Sequence, residues 1–343
     1  MTELVTNDAI YEDINQIIID VRSPGEYEEN HICGAINIPL FSNEERALIG
    51  TAYKQESQSK AKKLGMSFIS NKIEGIGHKF IDLSDQYDRI IVYCQRGGMR
   101  SGSICELMNA LDIKCYKLKG GMKGHRAYIQ DDLIKQLELK SYVTLHGHTG
   151  VGKTKILNAL EKNGLDVINY EALAQNAGSV FGTILFDGQP PSQKYFEEEI
   201  FNVIKRSKSD YIFIESESRR VGTVLIPDPC MQALEDGKHI YVDTSLQNRI
   251  LNLIDDYGEN KDHEPLIFAV NKLRKRISNN VADQLIDYIK NDTLEPLVEY
   301  LLKDYYDPLY QYSIDQYEYD HTINYKTIDG AVSEILAIYQ KGI

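Results

Sequence analysis

Two short runs in the chain hold residue types that can do chemistry at a spacing that suits it. The first, Ile90-Ile91-Val92-Tyr93-Cys94-Gln95-Arg96-Gly97-Gly98-Met99-Arg100-Ser101, ends an apolar stretch on a cysteine and then turns through glycines and arginines. A thiol becomes a nucleophile when positive charge or a helix N-terminus favours its thiolate. Arg96, Arg100 and a helix expected from Ser101 supply both, and Gly97 and Gly98 let backbone N–H groups turn inward as an anion nest. The bland alternative is a buried, inert cysteine. The second run, Gly147-His148-Thr149-Gly150-Val151-Gly152-Lys153-Thr154, is a complete G-x-x-x-x-G-K-T phosphate loop. Amides of Gly147, Thr149, Gly150 and Gly152 would cradle a diphosphate. Lys153 would neutralise its oxygens, and Thr154 could ligate Mg²⁺.

A phosphate loop is credible only between a strand and a helix. Residues 142–146 read as that strand and Lys155 to Leu160 as the helix. Tyr211 to Ile214 is a further buried strand ending on Glu215, the first candidate for a metal carboxylate, with Glu217 second. A carboxylate merely capping a strand is the competing account. Arg219 and Arg220 could reach phosphates or lie in surface salt bridges, and solvent is the simplest place for His148. In the N-terminal half, residues 17–21, 90–93 and 114–118 read as strands and 101–111 as a helix. Alternation of this kind implies parallel α/β sheets. Phe196, Ile200 and Val203 share one helical face, and residues 240–243 and 321–325 read as strands. Residues 265–303 are mostly helical, a Tyr-rich segment follows, and 331–339 read as a last helix.

Length and composition bound the rest. A chain of 343 residues supports two domains, and 42% hydrophobic with 26% charged residues is ordinary globular usage. The domain reading is 1–130, a polar linker over 131–140, and 141–343. There is no basic N-terminal segment leading into an apolar run, so no signal peptide is expected. No stretch approaches the roughly 20 apolar residues that span a bilayer. Five cysteines (33, 94, 105, 115 and 230) lack a C-x-x-C pair, which fits reduced thiols in a cytoplasm rather than a disulfide or zinc framework. The net charge of −13 argues against broad electrostatic binding of nucleic acid, although local patches remain open. Lys60 to Lys63 and Lys272 to Arg276 are two such patches, or else solvated helix faces.

The first run resembles the rhodanese-like family, and so do its flanks. Asp20-Val21-Arg22-Ser23-Pro24-Gly25-Glu26-Tyr27 and His31-Ile32-Cys33-Gly34-Ala35-Ile36-Asn37-Ile38-Pro39 are similar to that family's early signature. Leu118-Lys119-Gly120-Gly121-Met122 is similar to its closing segment. In that family the loop cysteine carries a chalcogen as persulfide or perselenide. Cys94 to Arg100 spells C-x5-R, one residue longer than the usual sulfurtransferase loop. The longer form also occurs in rhodanese-fold phosphatases and cradles a tetrahedral oxyanion.

A rhodanese-like domain followed by a phosphate-loop domain resembles the bacterial tRNA 2-selenouridine synthase family. Residues 94–101 are similar to its C-W-R-G-G-M-R-S, with Gln95 in place of the usual Trp. Residues 120–126, 147–154 and 214–222 match its further motifs. The resemblance implies geranylation of the sulfur of wobble 2-thiouridine from geranyl diphosphate, then replacement of geranylthio by selenium from selenophosphate. It also assigns roles. Cys94 carries or delivers selenium, Arg96, Gly97, Gly98 and Arg100 bind selenophosphate, and the loop from Gly147 to Thr154 holds the diphosphate. Thr154 and Glu215 are the metal candidates, with Mg²⁺ as the ion and no tightly bound cofactor. A tRNA partner needs positive charge, for which Lys123, His125, Arg126, Arg274 and Arg276 are the candidates. A selenophosphate synthetase is a further candidate partner, and neither membrane nor DNA is expected. The rival reading is an ATP-dependent kinase or NTPase fused to a rhodanese phosphatase-like domain.

Overall fold

The structure, a computed structural model, describes residues 2–176, 189–257 and 263–342. The chain divides into two compact units, Met1–Lys135 and Gln136–Ile343.

The first unit is built on a five-stranded sheet of β1 (Leu4–Val5), β2 (Gln16–Asp20), β3 (Ile36–Asn37), β4 (Arg89–Tyr93) and β5 (Cys115–Leu118). Its order is β1-β5-β4-β2-β3, and every pairing is parallel. Parallel strands are covered on both faces, which is why β2 and β4 read as unbroken apolar runs. Alternation then sorts them. Ile90, Val92 and Cys94 share one core with Ile104, Cys105 and Met108, while Ile91 and Tyr93 join the opposite core with Ile18 and Leu118. The helices are α1 (Pro24–Glu29), α2 (Asn43–Gln55), α3 (Gln58–Ser70), α4 (Ile73–Ser84), α5 (Met99–Ala110) and α6 (Gly121–Glu138). α1 and α2 each begin with a capping box, Ser23 with Glu26 and Ser42 with Glu45. The stretch 131–140 read as a linker contains the division between the units and is largely helical, as the second half of α6, where Leu133 and Leu137 are buried. Its polar exposed face gave the impression of a tether.

The second unit has a parallel sheet ordered β12-β11-β6-β8-β7 and a small antiparallel ribbon, β9 with β10. Its strands are β6 (Ser141–His146), β7 (Asp166–Ile168), β8 (Tyr211–Glu215), β9 (Arg220–Val221), β10 (Val224–Leu225), β11 (Lys238–Asp243) and β12 (His321–Asn324). The helices are α7 (Lys153–Lys162), α8 (Tyr170–Ala174), α9 (Gln193–Arg206), α10 (Asp228–Glu235), α11 (Leu246–Tyr257) and α12 (Glu264–Ile277). Then come α13 (Asn279–Lys290), α14 (Leu294–Tyr300), a π-helical turn at Leu301–Tyr306, α15 (Asp307–Ile314) and α16 (Ile328–Gln340). On α9, Phe196 and Ile200 are buried as the helical face requires, while Val203 is half-buried and Ile204 takes the inner position. Among the described residues no helix is long and apolar enough to cross a membrane.

In each unit the order of strands reverses beside a central strand, and the loop leaving the C-terminal end of that strand carries the chemistry. Open parallel sheets leave their ligand crevice at such a point. β4 delivers Cys94 and β6 delivers the phosphate loop.

Candidate functional site

Cys94 follows the last residue of β4 and is 3% exposed. Its Sγ lies 3.2 Å from the Ser101 hydroxyl. Burial pushes the thiol pKa up, but hydrogen bonds from the Ser101 hydroxyl and from the backbone N–H groups of Ser101, Arg96 and Gly98 outweigh it, so the net shift is down. The direction is opposite to that of its neighbours. Burial pushes Cys105 and Cys115 up to about 12.

The nest exists because of what lies beneath it. Gly97 adopts φ +61°, and a Cβ there would come within 2.9 Å of the Leu118 carbonyl. Gly121, at φ +56°, packs so closely under the loop that a Cβ would sit 2.1 Å from the Cys94 carbonyl oxygen. Met122 N–H donates to that oxygen at 3.0 Å, and Lys123 N–H to the Gln95 carbonyl at 2.9 Å. The closing Gly-Gly segment is thus the floor of the thiol loop.

Asp20 and Arg22 brace its side. Parallel register puts Asp20 opposite Tyr93, so the residues after β2 run beside those after β4. Arg22, 2% exposed, donates to both carboxylate oxygens of Asp20, to the Asn30 carbonyl at 2.6 Å and to Gln95 Oε1 at 3.3 Å. Gln95, standing where relatives in the resemblance have Trp, is an acceptor for this buried guanidinium.

Arg96 and Arg100 differ. The Arg96 side chain is exposed. Arg100 is held by Glu26 through Nη1–Oε2 at 2.8 Å and Nη2–Oε1 at 3.2 Å. Arg46 Nε reaches the same Oε2 at 2.9 Å. Despite burial, the two arginines and the Ser23 backbone N–H hold the Glu26 carboxyl down at about 2. Two guanidiniums, from α2 and α5, share this one carboxylate of α1, leaving the group with one net positive charge.

In the second unit Gly147, Gly150 and Gly152 all have positive φ (+149°, +82° and +68°), and added Cβ atoms would meet Val242 O at 2.4 Å, Arg249 O at 2.9 Å and Ile328 Cδ1 at 2.8 Å. The loop carbonyls are tied away from the nest. Lys153 Nζ donates to Gly147 O (3.0 Å), Arg249 Nε to Thr149 O (2.9 Å), Asn252 Nδ2 to Gly150 O (2.9 Å) and Tyr325 OH to Val151 O (2.9 Å). Arg249, 7% exposed, is itself fixed by a bidentate pair with Asp307 at 3.0 and 2.6 Å. His148 is not left to solvent. It is half-buried and bonded to Tyr241 OH at 3.0 Å and Gln311 Oε1 at 3.2 Å.

Beside the loop stand three carboxylates, Glu171, Glu215 and Glu217, whose nearest oxygens lie within 4.8 Å of one another. Register assembles them. Leu145 pairs with Glu215 and Ile168 with Ile214, so the ends of β6, β7 and β8 coincide. Thr154 Oγ1 donates to Glu171 Oε2 at 3.1 Å. Burial first, and then mutual repulsion, pushes Glu215 well above the carboxylate range and Glu217 up to about 8, against the pull of Lys153. Burial also raises Glu171, although Lys153 and Thr154 oppose it. An all-oxygen set of three carboxylates and a hydroxyl is a donor set for a hard divalent cation. Tyr310, on α15, is raised by burial and then by the charges of Glu217 and Glu171.

Of the remaining candidates, Lys123 adjoins the thiol loop through its backbone N–H to the Gln95 carbonyl. Lys123 is exposed and Arg126 half-buried on α6. His125 is fully buried with Nδ1 3.2 Å from Asn7 Oδ1, because Met122, His125 and Ile129 form the inward face of that helix. It therefore drops out of any surface path for RNA. Arg274 is paired with Asp283 (2.6 Å), and Arg276 donates to Tyr305 OH (2.7 Å). Arg219 is in the surface ion pair, with Asp228 at 2.7 Å. Glu171, Arg249, Asn252, Asp307, Tyr310 and Tyr325 are site residues that the motifs did not mark.

Residues 140–341 match the family described as the tRNA 2-selenouridine synthase AAA domain, and residues 6–128 match the rhodanese-like domain. The chain belongs to the tRNA 2-selenouridine synthase family. The protein of that name from Nitrosomonas europaea is 34% identical over 245 residues, covering 70% of this chain and 63% of the relative. The one from Nitrosomonas eutropha is 32% identical, covering 70% of this chain and 62% of the relative. The one from Pseudomonas fluorescens is 29% identical over 278 residues, 76% of this chain and 75% of the relative. The match thus spans less than two thirds of the two Nitrosomonas proteins. The rhodanese-like match contains the thiol loop, and the match that follows it contains the phosphate loop.

Ser101→Ala removes the one side-chain hydroxyl on the Cys94 sulfur. The iodoacetamide alkylation profile of Cys94 should move to higher pH, with a several-fold slower rate at neutral pH. An unmoved profile would show that backbone N–H groups alone set the thiolate.

Proposed function

We propose that the chain is a transferase that makes 2-selenouridine at the wobble position of tRNA in two steps, each served by one of the two anion loops. The observation that supports this most strongly is the pairing, within one member of this family, of a thiol held toward thiolate and a phosphate loop flanked by Lys153 and three carboxylates.

In the first step the thiocarbonyl sulfur of 2-thiouridine attacks C1 of geranyl diphosphate. The carbon–oxygen bond breaks, and diphosphate leaves with the electron pair. Inward N–H groups of the loop and Lys153 stabilise that leaving charge, which is larger in the transition state than in the ground state. Thr154, Glu171, Glu215 and Glu217 would hold Mg²⁺, which when bound would neutralise further charge on the diphosphate. Alkylation turns sulfur into a leaving group. In the second step the selenium of selenophosphate adds at C2 and geranyl thiolate departs; water then takes the phosphoryl group as the P–Se bond breaks, giving inorganic phosphate and 2-selenouridine. The donor is a tetrahedral oxyanion, the shape that the C-x5-R loop accommodates, and Arg96 with the Arg100–Glu26–Arg46 group supplies positive charge beside Cys94. Lys123, Arg126, Arg274 and Arg276 are the proposed tRNA contacts, the last two by exchanging their present partners for phosphates. A selenophosphate synthetase would supply the donor. The comparisons do not favour the kinase alternative.

Incubating the protein with 2-thiouridine tRNA, adding each co-substrate singly and then both, tests this by mass spectrometry of the nucleosides. Geranyl diphosphate alone should give S-geranyl-2-thiouridine, and both together should give 2-selenouridine. Absence of both products would sink the reading.

The carboxylates give a second test. Burial and the charge of Glu171 push Glu217 up to about 8 from 4.5 for a free carboxyl, so between these values the folded state holds a proton that the unfolded state has released. Stability without a divalent cation therefore falls as pH rises through that window. Mg²⁺ must displace these protons, so its gain in melting temperature should be larger at pH about 8.5 than at about 6. An equal gain at both would remove the cluster as the metal site.

A further inference from the structure

α12 presents two faces of opposite character. Leu266, Ala269, Val270, Leu273 and Ile277 turn inward to the core shared with α13 and α14. Phe268, Asn271, Lys272 and Lys275 stand at i, i+3, i+4 and i+7, so they form one strip on the outer side, and all four are exposed. Phe268 is 62% exposed, whereas every other phenylalanine among the described residues is buried or half-buried. An isolated exposed apolar side chain would need no explanation. This one is paired: Lys272 Nζ lies 4.4 Å from the ring centroid, a cation set against the π face.

Charge on the helix is one-sided as well. α12 carries Lys272, Arg274, Lys275 and Arg276 against one carboxylate, Glu264, in a chain whose net charge is −13. Two of those cations are engaged within the fold, Arg274 by Asp283 at 2.6 Å and Arg276 by the Tyr305 hydroxyl at 2.7 Å. Lys272 and Lys275 make no ion pair among the described residues. An aromatic ring open to water, with ammonium groups one and two helical turns away, matches a single-stranded nucleotide: the base stacks on the ring and the phosphates meet the lysines. A duplex hides its base faces, and an acidic peptide would use the lysines without the ring.

We propose, resting on the tRNA reading above, that this strip holds an unpaired nucleotide of the tRNA, with the base stacked on Phe268 and the flanking phosphates on Lys272 and Lys275. Arg274 and Arg276 must give up their partners before they can reach RNA. The strip needs no such exchange, so it makes the first contact and the two arginines follow.

The test is equilibrium binding of the full chain to 2-thiouridine tRNA over a series of salt concentrations, with melting temperature as the control for folding. Phe268→Ala should weaken binding about ten-fold at every salt concentration and leave the slope of log Kd against log salt unchanged. Phe268→Leu keeps apolar bulk without a ring and should lose as much, while Phe268→Tyr should bind as the wild type does. If Phe268→Ala melts lower, the comparison of Leu with Tyr at this position decides the matter. Changing Lys272→Gln and Lys275→Gln together should reduce the salt slope by about 1.5. Wild-type affinity in Phe268→Leu would overturn the inference, and so would an unchanged slope in the double lysine variant. Loss in the lysine variant with no loss in either ring variant would mark a plain phosphate patch and also overturn it. A wild type that makes 2-selenouridine, with affinity untouched by every variant, would condemn this inference alone. A wild type that binds tRNA through the strip and makes no selenonucleoside would condemn only the proposed reaction. No binding of tRNA by the wild type would end both.

Discussion

A loop that turns several N–H groups toward one anion must dispose of the carbonyls that turn the other way. Both sites are organised around that requirement, because a buried carbonyl without a donor costs as much as a lost hydrogen bond. At the thiol loop the donors are backbone, Met122 to Cys94 and Lys123 to Gln95, and they come from the segment that Gly120 and Gly121 allow to pass underneath. At the phosphate loop the donors are side chains: Lys153, Arg249, Asn252 and Tyr325. The first solution is rigid and local. The second recruits α11, α15 and β12, so distant parts of the chain set the geometry of a short loop.

Charge follows from the same geometry. A net charge of −13 appeared to conflict with polyanionic substrates. Three of the acidic residues, Glu171, Glu215 and Glu217, are drawn into one group where full ionisation is disfavoured. Glu26 works in the opposite sense. It stays ionised because it collects Arg100 and Arg46, and it presents them as a unit. Overall charge therefore says little about either site, as local arrangement dominates at contact distance.

The strands, the two loops and their glycines were legible because period-two burial and positive-φ turns leave local marks in sequence. Glu215 was legible because it ends an apolar strand. Glu171 was not: it sits beyond β7, and only the register of β7 on β8 brings it to Thr154. Arg249 and Asp307 lie far apart in the chain and meet through tertiary packing. The Tyr-rich segment looked uninformative, yet Tyr325 just beyond it bonds a loop carbonyl. His125 misled because a basic residue between Lys123 and Arg126 looks like surface, whereas helical spacing turns it inward. The stretch 131–140 does hold the division between the two units, and its polar exposed face did not by itself show that the chain there is helical.

The central claim is that the two loops serve separate, consecutive steps. Supplying Lys153→Ala and Cys94→Ser proteins with 2-thiouridine tRNA, and separately with tRNA already S-geranylated, measures this directly. Lys153→Ala should fail on the first tRNA and make 2-selenouridine from the second. Cys94→Ser should accumulate the S-geranyl nucleoside from the first and convert neither to selenium. Loss of selenation of the S-geranylated tRNA in Lys153→Ala, or its persistence in Cys94→Ser, would contradict the account.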